Sequence, residues 1–369
     1  MSEDIGCPCH GKVVALVDER TTEVQEIAQP PDVEPDAVFT RVARTNVCGS
    51  EVHFWRDEFP FRGVLGHEAL LVVEALGDEV ETDDAGQPLS VGDRVVATYF
   101  TQCGTCPACQ QGQFYACDAF EALGDWMQPP SVEPYYNGTF ATHYYVSPDQ
   151  HLYKVPDNVP DGVAASANCA LSQVLFGFDK ANVRPGETVV IQGAGGLGIH
   201  ATAVADAMGA TPIVIEGAPG RLDRAEAFGA AHVIDINEYD TPAARESRVK
   251  ELTDGAGADV GLEVAGHPDV FAEGPGLLRN GARYIELGNI SLDMHTEFNP
   301  ASLTYRNLTV HAVMLYQPWF LKRALEFLEA HVDDYPYESL LDAEFTLEEA
   351  QKALEQSDSR EITRATLIP

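Results

Sequence analysis

The alternation of apolar and polar positions changes rhythm near residue 186 of this 369-residue chain. Ahead of that point the apolar residues come in short β-forming runs, at 12–17, 37–42, 69–76 and 91–97. Turn residues such as Gln29-Pro30-Pro31-Asp32 separate them. Several short strands divided by turns predict a small β-barrel. After it, strand runs at 187–192, 213–216, 232–236, 260–264 and 284–287 alternate with helical stretches at 199–208, 221–228 and 243–252, the pattern of a doubly wound parallel sheet. Near 310–315 the chain leaves that pattern, and 318–329 reads as a helix. Thr346 with Glu349 three residues on forms a capping box opening a helix to about Gln356, and 364–368 reads as a strand returning to the first region. The predicted organisation is therefore residues 1–170, then 171–312, then a return over 313–369. The loop-rich stretch 118–160 is aromatic, and most of its rings (Tyr135, Tyr136, Phe140, Tyr144, Tyr145) are expected in packing. Trp126, set among Gly, Asp and Pro, and Tyr99 are candidates to line a substrate pocket.

Charge narrows the partners. Asp and Glu number 58 against 23 Lys and Arg, a net charge of −35 with pI near 4.4, and only six of the basic residues are lysine. The excess runs the whole length, which implies an acidic surface on a folded body rather than a disordered tail. Dense carboxylates with scarce lysine resemble the proteins of extreme halophiles. Nucleic acid is excluded as a partner, since a phosphate backbone calls for a basic face. The first residues lack a basic, then apolar, leader, and no run reaches the roughly 18 apolar residues of a membrane span. The expectation is a cytoplasmic protein whose eight cysteines serve as ligands rather than disulfides.

Three constellations carry chemistry. Cys48 in Thr45–His53 and His67 in Gly66-His67-Glu68 offer a thiolate and an imidazole at the ends of β-like runs, with Cys169 a third candidate much later. That donor set suits a catalytic zinc, which takes three protein ligands and keeps one position open. Cys103, Cys106, Cys109 and Cys117, spaced C-x2-C-x2-C-x7-C, can close a tetrahedron around a structural zinc. The ferredoxin spacing, with its fourth cysteine after three residues and before a proline, is not met. Gly193-Ala194-Gly195-Gly196-Leu197-Gly198 follows a strand, opens a helix and precedes a second strand ending in the acid Glu216. That is the context in which a G-x-G-x-x-G loop holds a dinucleotide pyrophosphate while the acid holds the adenosine ribose. A carboxylate there favours NAD over NADP, with Arg221 and Arg224 close behind to soften the preference. Cys7-Pro8-Cys9-His10 receives no function, and Arg56 and Arg62 are expected to pair with surface acids.

Taken in order, Cys48–His53, Gly66-His67-Glu68, Val91-Gly92-Asp93-Arg94-Val95, the four-cysteine lobe and the glycine loop resemble the zinc-dependent medium-chain alcohol dehydrogenases over nearly the full chain. The resemblance implies an α/β protein. A GroES-like β-barrel catalytic domain is split around a doubly wound Rossmann coenzyme domain, the active site lies in the cleft between them, and the chain forms a homodimer or homotetramer. It implies one catalytic zinc on Cys48, His67 and Cys169, with Glu68 the neighbouring carboxylate, which binds the metal or sits just outside it. Ser50 matches the hydroxyl that takes the substrate proton and His53 the outer end of the relay. Arg364 falls near a contact to the cofactor pyrophosphate. Independently, a hydroxyl and an imidazole suit a route for a proton to solvent. The opening motifs look most like the sorbitol and threonine dehydrogenase branches, where a glutamate often replaces the ligand that Cys169 offers, so the substrate is not carried over. The rival expectations are a zinc-free enone or quinone reductase of the same fold and a non-enzymatic zinc- and dinucleotide-binding protein.

Overall fold

The β-forming runs at the start of the chain become strands whose inward residues are buried. In the computed structural model, residues 11–27, 32–58, 62–118, 128–218 and 220–369 are described. Cys7, Cys9, His10 and Trp126 lie outside them. Two compact units form: Met1–Cys169 with Glu338–Pro369, and Ala170–Tyr337.

In the first unit β1 (Gly11–Asp18) pairs antiparallel with β2 (Thr21–Ile27). β3 (Val38–Asn46) is followed at once by a short helix, α1 (Gly49–Trp55), and then β4 (Glu68–Leu76) returns antiparallel to β3 with Asn46 opposite Glu68. This register sets Cys48, two residues past Asn46, across from His67, one residue before Glu68. Cys48 thus caps a helix rather than ending a strand. At seven residues, α1 is too short for its period to show in the sequence. β5 (Arg94–Ala97), α2 (Pro107–Gln110), β6 (His143–Val146), β7 (Leu152–Lys154) and α3 (Asp161–Ala164) complete this stretch, with β6 also against β3. Val38, Val42, Leu71, Val95 and Val146 fill one side of the sheet. Each such side chain stabilises the fold by about 1.5–3 kcal/mol relative to exposure.

The second unit runs α4 (Ser172–Lys180), β8 (Thr188–Gln192), α5 (Gly196–Ala207), β9 (Thr211–Glu216), α6 (Arg221–Ala227), β10 (His232–Asp235), α7 (Pro242–Leu252), β11 (Ala258–Glu263), α8 (Pro268–Leu277), β12 (Leu278–Glu286), α9 (Ala301–Arg306), β13 (Thr309–Ala312) and α10 (Phe320–His331). Its six strands are all parallel, in the order β10-β9-β8-β11-β12-β13. Val189, Val190 and Ile191 of β8 are fully buried, as expected for a strand covered on both faces. The order reverses between β8 and β11, the switch point at which open α/β sheets bind ligands. Sequence periodicity missed α8 because Gly274-Pro275-Gly276 lies inside it and reads as a breaker. The expected return to the first unit at 313 comes instead at 338. Helix α10 stays with the second unit because Phe320 packs edge-on to Phe176 of α4, with ring centroids 5.1 Å apart, and Leu321, Leu325 and Leu328 are buried.

The return itself consists of β14 (Ala343–Thr346), α11 (Ala350–Asp358) and β15 (Ala365–Ile368). The Thr346–Glu349 capping box is present, but a single tighter turn at Leu347–Glu349 precedes the α-helix. β15 lies parallel to β14 and antiparallel to β3, with Thr366 opposite Asn46. The full sheet of this unit is seven-stranded among the described residues. No described helix is long and apolar enough to cross a membrane.

Candidate metal centre and nucleotide loop

Cys48, His67, Glu68 and Cys169 converge in the first unit, each offering a ligand atom, all within 4.8 Å of one another. The strand register delivers the first three. Cys169 arrives from a π-helical turn over Ala167–Leu171, a local widening that turns its sulfur inward. Asn168 beside it donates from Nδ2 to the carbonyls of His67 (2.7 Å) and Ala97 (2.8 Å), tying that turn to the edge of the barrel. Cys48 Sγ stands 3.9 Å from Cys169 Sγ, and His67 Nε2 3.3 Å from the same sulfur. Ligands tetrahedrally disposed around one zinc are about 3.8 Å apart for two sulfurs and about 3.5 Å for sulfur and nitrogen, given bond lengths of about 2.3 and 2.0–2.1 Å. The side chains present therefore fit a zinc ion.

Orientation and charge agree. His67 Nδ1 donates to Glu51 Oε1 at 2.5 Å, which turns Nε2 toward the sulfurs. Glu51 Oε2 accepts the Cys48 N–H at 2.9 Å, so one buried carboxylate fixes both the His67 ring and the Cys48 backbone. Burial opposes a charge on His67, but Glu51 and Cys48 outweigh it and hold the imidazole pKa up to about 10. The Cys48 thiol is pulled well down by its hydrogen bond to Cys169 against the effect of burial, with His67 and the Ser50 hydroxyl adding to it. Glu68 is fully buried and ion-paired with Arg364, and its other oxygen, Oε1, is buried with no hydrogen-bond partner. Arg364 is thus engaged by Glu68 within the first unit, whereas the resemblance placed it at the cofactor pyrophosphate. Tyr99, expected to line a pocket, is buried with its ring 4.7 Å from His67 and hydrogen-bonds Cys169.

Helix α1 carries Ser50 and His53 one turn apart, on the same side. Arg56 and Arg62 pair with acids: Arg56 with Asp358 and Arg62 with Asp57 (2.8 Å). Sequence reading missed Glu51 and Asn168. Glu51 had a signal, since it stands three residues after Cys48 in the spacing of a capping box with a thiol as cap. Asn168 had none beyond adjacency to Cys169.

Cys103, Cys106, Cys109 and Cys117 form a second cluster on a separate lobe. Cys117 Sγ lies 3.5 Å from Cys103 Sγ and 3.9 Å from Cys106 Sγ, again the spacing of ligands around one zinc. The backbone N–H groups of Cys106 and Cys109 donate to the sulfurs of Cys103 and Cys106, both at 3.4 Å. The N–H groups of Thr105 and Cys106 hold the Cys103 thiol down at about 6, within reach of the thiolate a metal needs.

In the second unit the glycine loop joins β8 to α5. Gly193 has φ +110, and a Cβ there would meet the Ala265 backbone at 3.0 Å, while one on Gly198 would strike the Gly193 carbonyl. A Cβ on Gly195, by contrast, would meet nothing within 4 Å, which leaves room above the α5 N-terminus for a phosphate. Gly196 and Leu197 open α5. Glu216, at the end of β9, accepts N–H bonds from Ala194 (2.9 Å), Gly217 (2.7 Å) and Ala218 (2.9 Å), and Arg221 lies 3.6 Å away. Burial pushes its carboxyl up, but those donors prevail and hold it below the usual range, so it is anionic at neutral pH. A loop with these glycines and this acid fits a dinucleotide.

Known proteins share this chain's sequence and fold. The Alcohol dehydrogenase GroES-like domain family matches residues 34–157, and the Zinc-binding dehydrogenase family matches 196–330. The chain is 32% identical to a 5-exo-hydroxycamphor dehydrogenase of Pseudomonas putida over 94% of its length and 95% of that protein's. It is 29% identical to a sorbitol dehydrogenase of Bacillus subtilis over 93% of each. An alcohol dehydrogenase structure from Thermotoga maritima superposes with a TM-score of 0.88 at 27% identity, covering 97% of this chain and 99% of that one.

Proposed function

This chain belongs to the zinc-type medium-chain alcohol dehydrogenase family, and on that premise we propose that it moves a hydride between an alcohol and NAD with two zinc ions per chain. The carrying observation is the convergence of Cys48, His67 and Cys169 at zinc-ligand spacing, with Nδ1 of His67 already taken by Glu51. Cys48, His67 and Cys169 would hold a catalytic zinc, and Cys103, Cys106, Cys109 and Cys117 a structural one. A bound zinc stabilises the deprotonated form of a hydroxyl and so eases hydride loss to the nicotinamide. Glu68 would act beside the metal rather than on it, because Arg364 already shares its charge. Ser50 would accept the alcohol proton and His53 pass it outward. Gly193, Gly195, Gly196, Leu197 and Gly198 would cradle the pyrophosphate, and Glu216 would bind the adenosine ribose while repelling a 2′-phosphate.

The substrate is a primary or secondary alcohol or a polyol, oxidised to the aldehyde or ketone. The resemblance further suggests a homodimer or homotetramer, in the cytoplasm. An enone or quinone reductase without zinc would have no need of the Cys48, His67 and Cys169 set. Metal analysis, together with a screen of alcohols, polyols, aldehydes and enones against NAD and NADP in molar KCl, tests the reading. Zinc-dependent reduction of NAD by an alcohol is expected. Enone reduction by a zinc-free protein would overturn the function, and a higher kcat/KM with NADP would overturn the role given to Glu216.

A further inference from the structure

Helix α1 ends in a turn that brings Glu58, the residue after the left-handed Asp57, back over His53. Asp57 takes φ +64, and its N–H bonds the Phe54 carbonyl (3.0 Å), while the Glu58 N–H bonds the His53 carbonyl (3.1 Å). This pair of crossed bonds defines a Schellman motif, in which the residue after the left-handed position packs against the residue three from the helix end. Apolar side chains usually fill that contact. Here it holds an imidazole and a carboxylate, with His53 Nδ1 2.5 Å from Glu58 Oε2. The opposite oxygen, Glu58 Oε1, faces Arg56 Nη1 at 3.5 Å, and Arg56 is anchored to Asp358 of α11, which also accepts from Arg20 Nη1 at 3.2 Å. His53 and Glu58 are both partly exposed, so the pair sits where the protein meets water.

We propose that Glu58 is a positioning residue for proton release: it fixes the His53 tautomer and accepts the Nδ1 proton on its way to solvent. An imidazole passes a proton only if one nitrogen accepts while the other gives one up. Glu58, acceptor-only when ionised, places the hydrogen on Nδ1 and leaves Nε2 as the acceptor. During alcohol oxidation the hydride, with its electron pair, goes to the oxidised nicotinamide. The alcohol proton would go to Ser50 Oγ, which is buried with no hydrogen-bond partner among the described residues, as the Ser50 proton passes over a bridging water to His53 Nε2. The Nδ1 proton then crosses to Glu58 Oε2 and from there to water, which restores Ser50 and Glu58 and leaves the ring hydrogen on Nε2. Loss of that hydrogen to water and uptake of one at Nδ1 through Glu58 return His53 to its starting tautomer. Arg56 holds Glu58 in place, and Asp358 holds Arg56. This inference rests on the alcohol dehydrogenase reading of the same site.

The holoenzyme in molar KCl tests it with two readouts. In steady-state alcohol oxidation, Glu58→Ala is expected to lower kcat by about tenfold, with KM, NAD affinity, zinc content and melting temperature unchanged. Acetate or formate should restore the rate, and Glu58→Asp should fall between the two. Ring 15N shifts of His53, assigned through His53→Gln, should show hydrogen on Nδ1 in the native protein and a tautomer mixture in Glu58→Ala. An unchanged kcat with unchanged His53 shifts overturns the proposal, as does a loss of kcat that small carboxylates fail to restore. A native protein that oxidises no alcohol sinks the functional reading instead, and the 15N readout then still decides whether Glu58 sets the tautomer.

Discussion

Replacing Glu51 by glutamine changes one atom of a fully buried side chain, yet it should empty one metal site and spare the other. Glu51 Oε1 accepts from His67 Nδ1 at 2.5 Å, and Oε2 accepts from the Cys48 N–H at 2.9 Å. A glutamine keeps one acceptor, and the helix cap formed with Cys48 N–H can hold it. The amide nitrogen then faces His67 Nδ1, and a donor there turns Nδ1 into the acceptor and sends the ring hydrogen to Nε2, the nitrogen 3.3 Å from Cys169 Sγ. A protonated Nε2 cannot bind a metal. Loss of a carboxylate behind a ligating histidine costs about 10–100-fold in metal affinity, or about 1.4–2.7 kcal/mol. The four-cysteine lobe has no contact with Glu51 in its hydrogen bonds and serves as an internal reference. Chelator competition on Glu51→Gln should release one zinc about 10–100-fold more readily than in the native protein while the second is held unchanged, and turnover should fall with the first. Glu51→Ala should behave likewise and lose about 1 kcal/mol more in stability from the missing cap. Equal zinc retention at both sites with native turnover would show that His67 is not held by Glu51 for metal binding.

Cys169→Ala should lower zinc toward about one per chain, whereas Glu68→Ala should keep about two and slow turnover; full zinc and activity in Cys169→Ala would move the ligand role to Glu68. The melting temperature should rise steeply between dilute buffer and molar KCl, because a net charge of −35 repels itself over a Debye length that shrinks from about 10 Å at 0.1 M to about 3 Å at 1 M. A flat profile would remove the link between charge and stability. In the second unit, burial and then the neighbouring Glu286 charge raise Glu263 to about 8, from 4.5 when free. The folded state therefore holds the extra proton between those values, so this contribution is complete below pH 4.5 and lost as pH rises through about 8. Glu263→Gln, which mimics the protonated acid, should gain stability over the native protein between pH 5 and 9 by urea unfolding. A pH-independent difference would show that Glu263 keeps its ordinary affinity for a proton.

Local spacing made much of this protein legible. The C-x2-C-x2-C-x7-C lobe closes on itself because its cysteines are near in sequence, and the glycine loop is held by its own backbone and the acid at the end of the next strand. The parallel sheet was readable because strands buried on both faces are continuous apolar runs. What the sequence left open depends on contacts between distant residues. Cys169 meets Cys48 and His67 only because the β3–β4 register and a π-helical turn bring together positions 121 and 102 residues apart. Arg364 reaches Glu68 across 296 residues because β15 returns beside β3. Glu51 and Glu58 are near in sequence to the groups they hold. Their placement still turned on a helix of seven residues, too short to announce itself by periodicity, whose capped start points one carboxylate at His67 and whose left-handed end folds the other over His53.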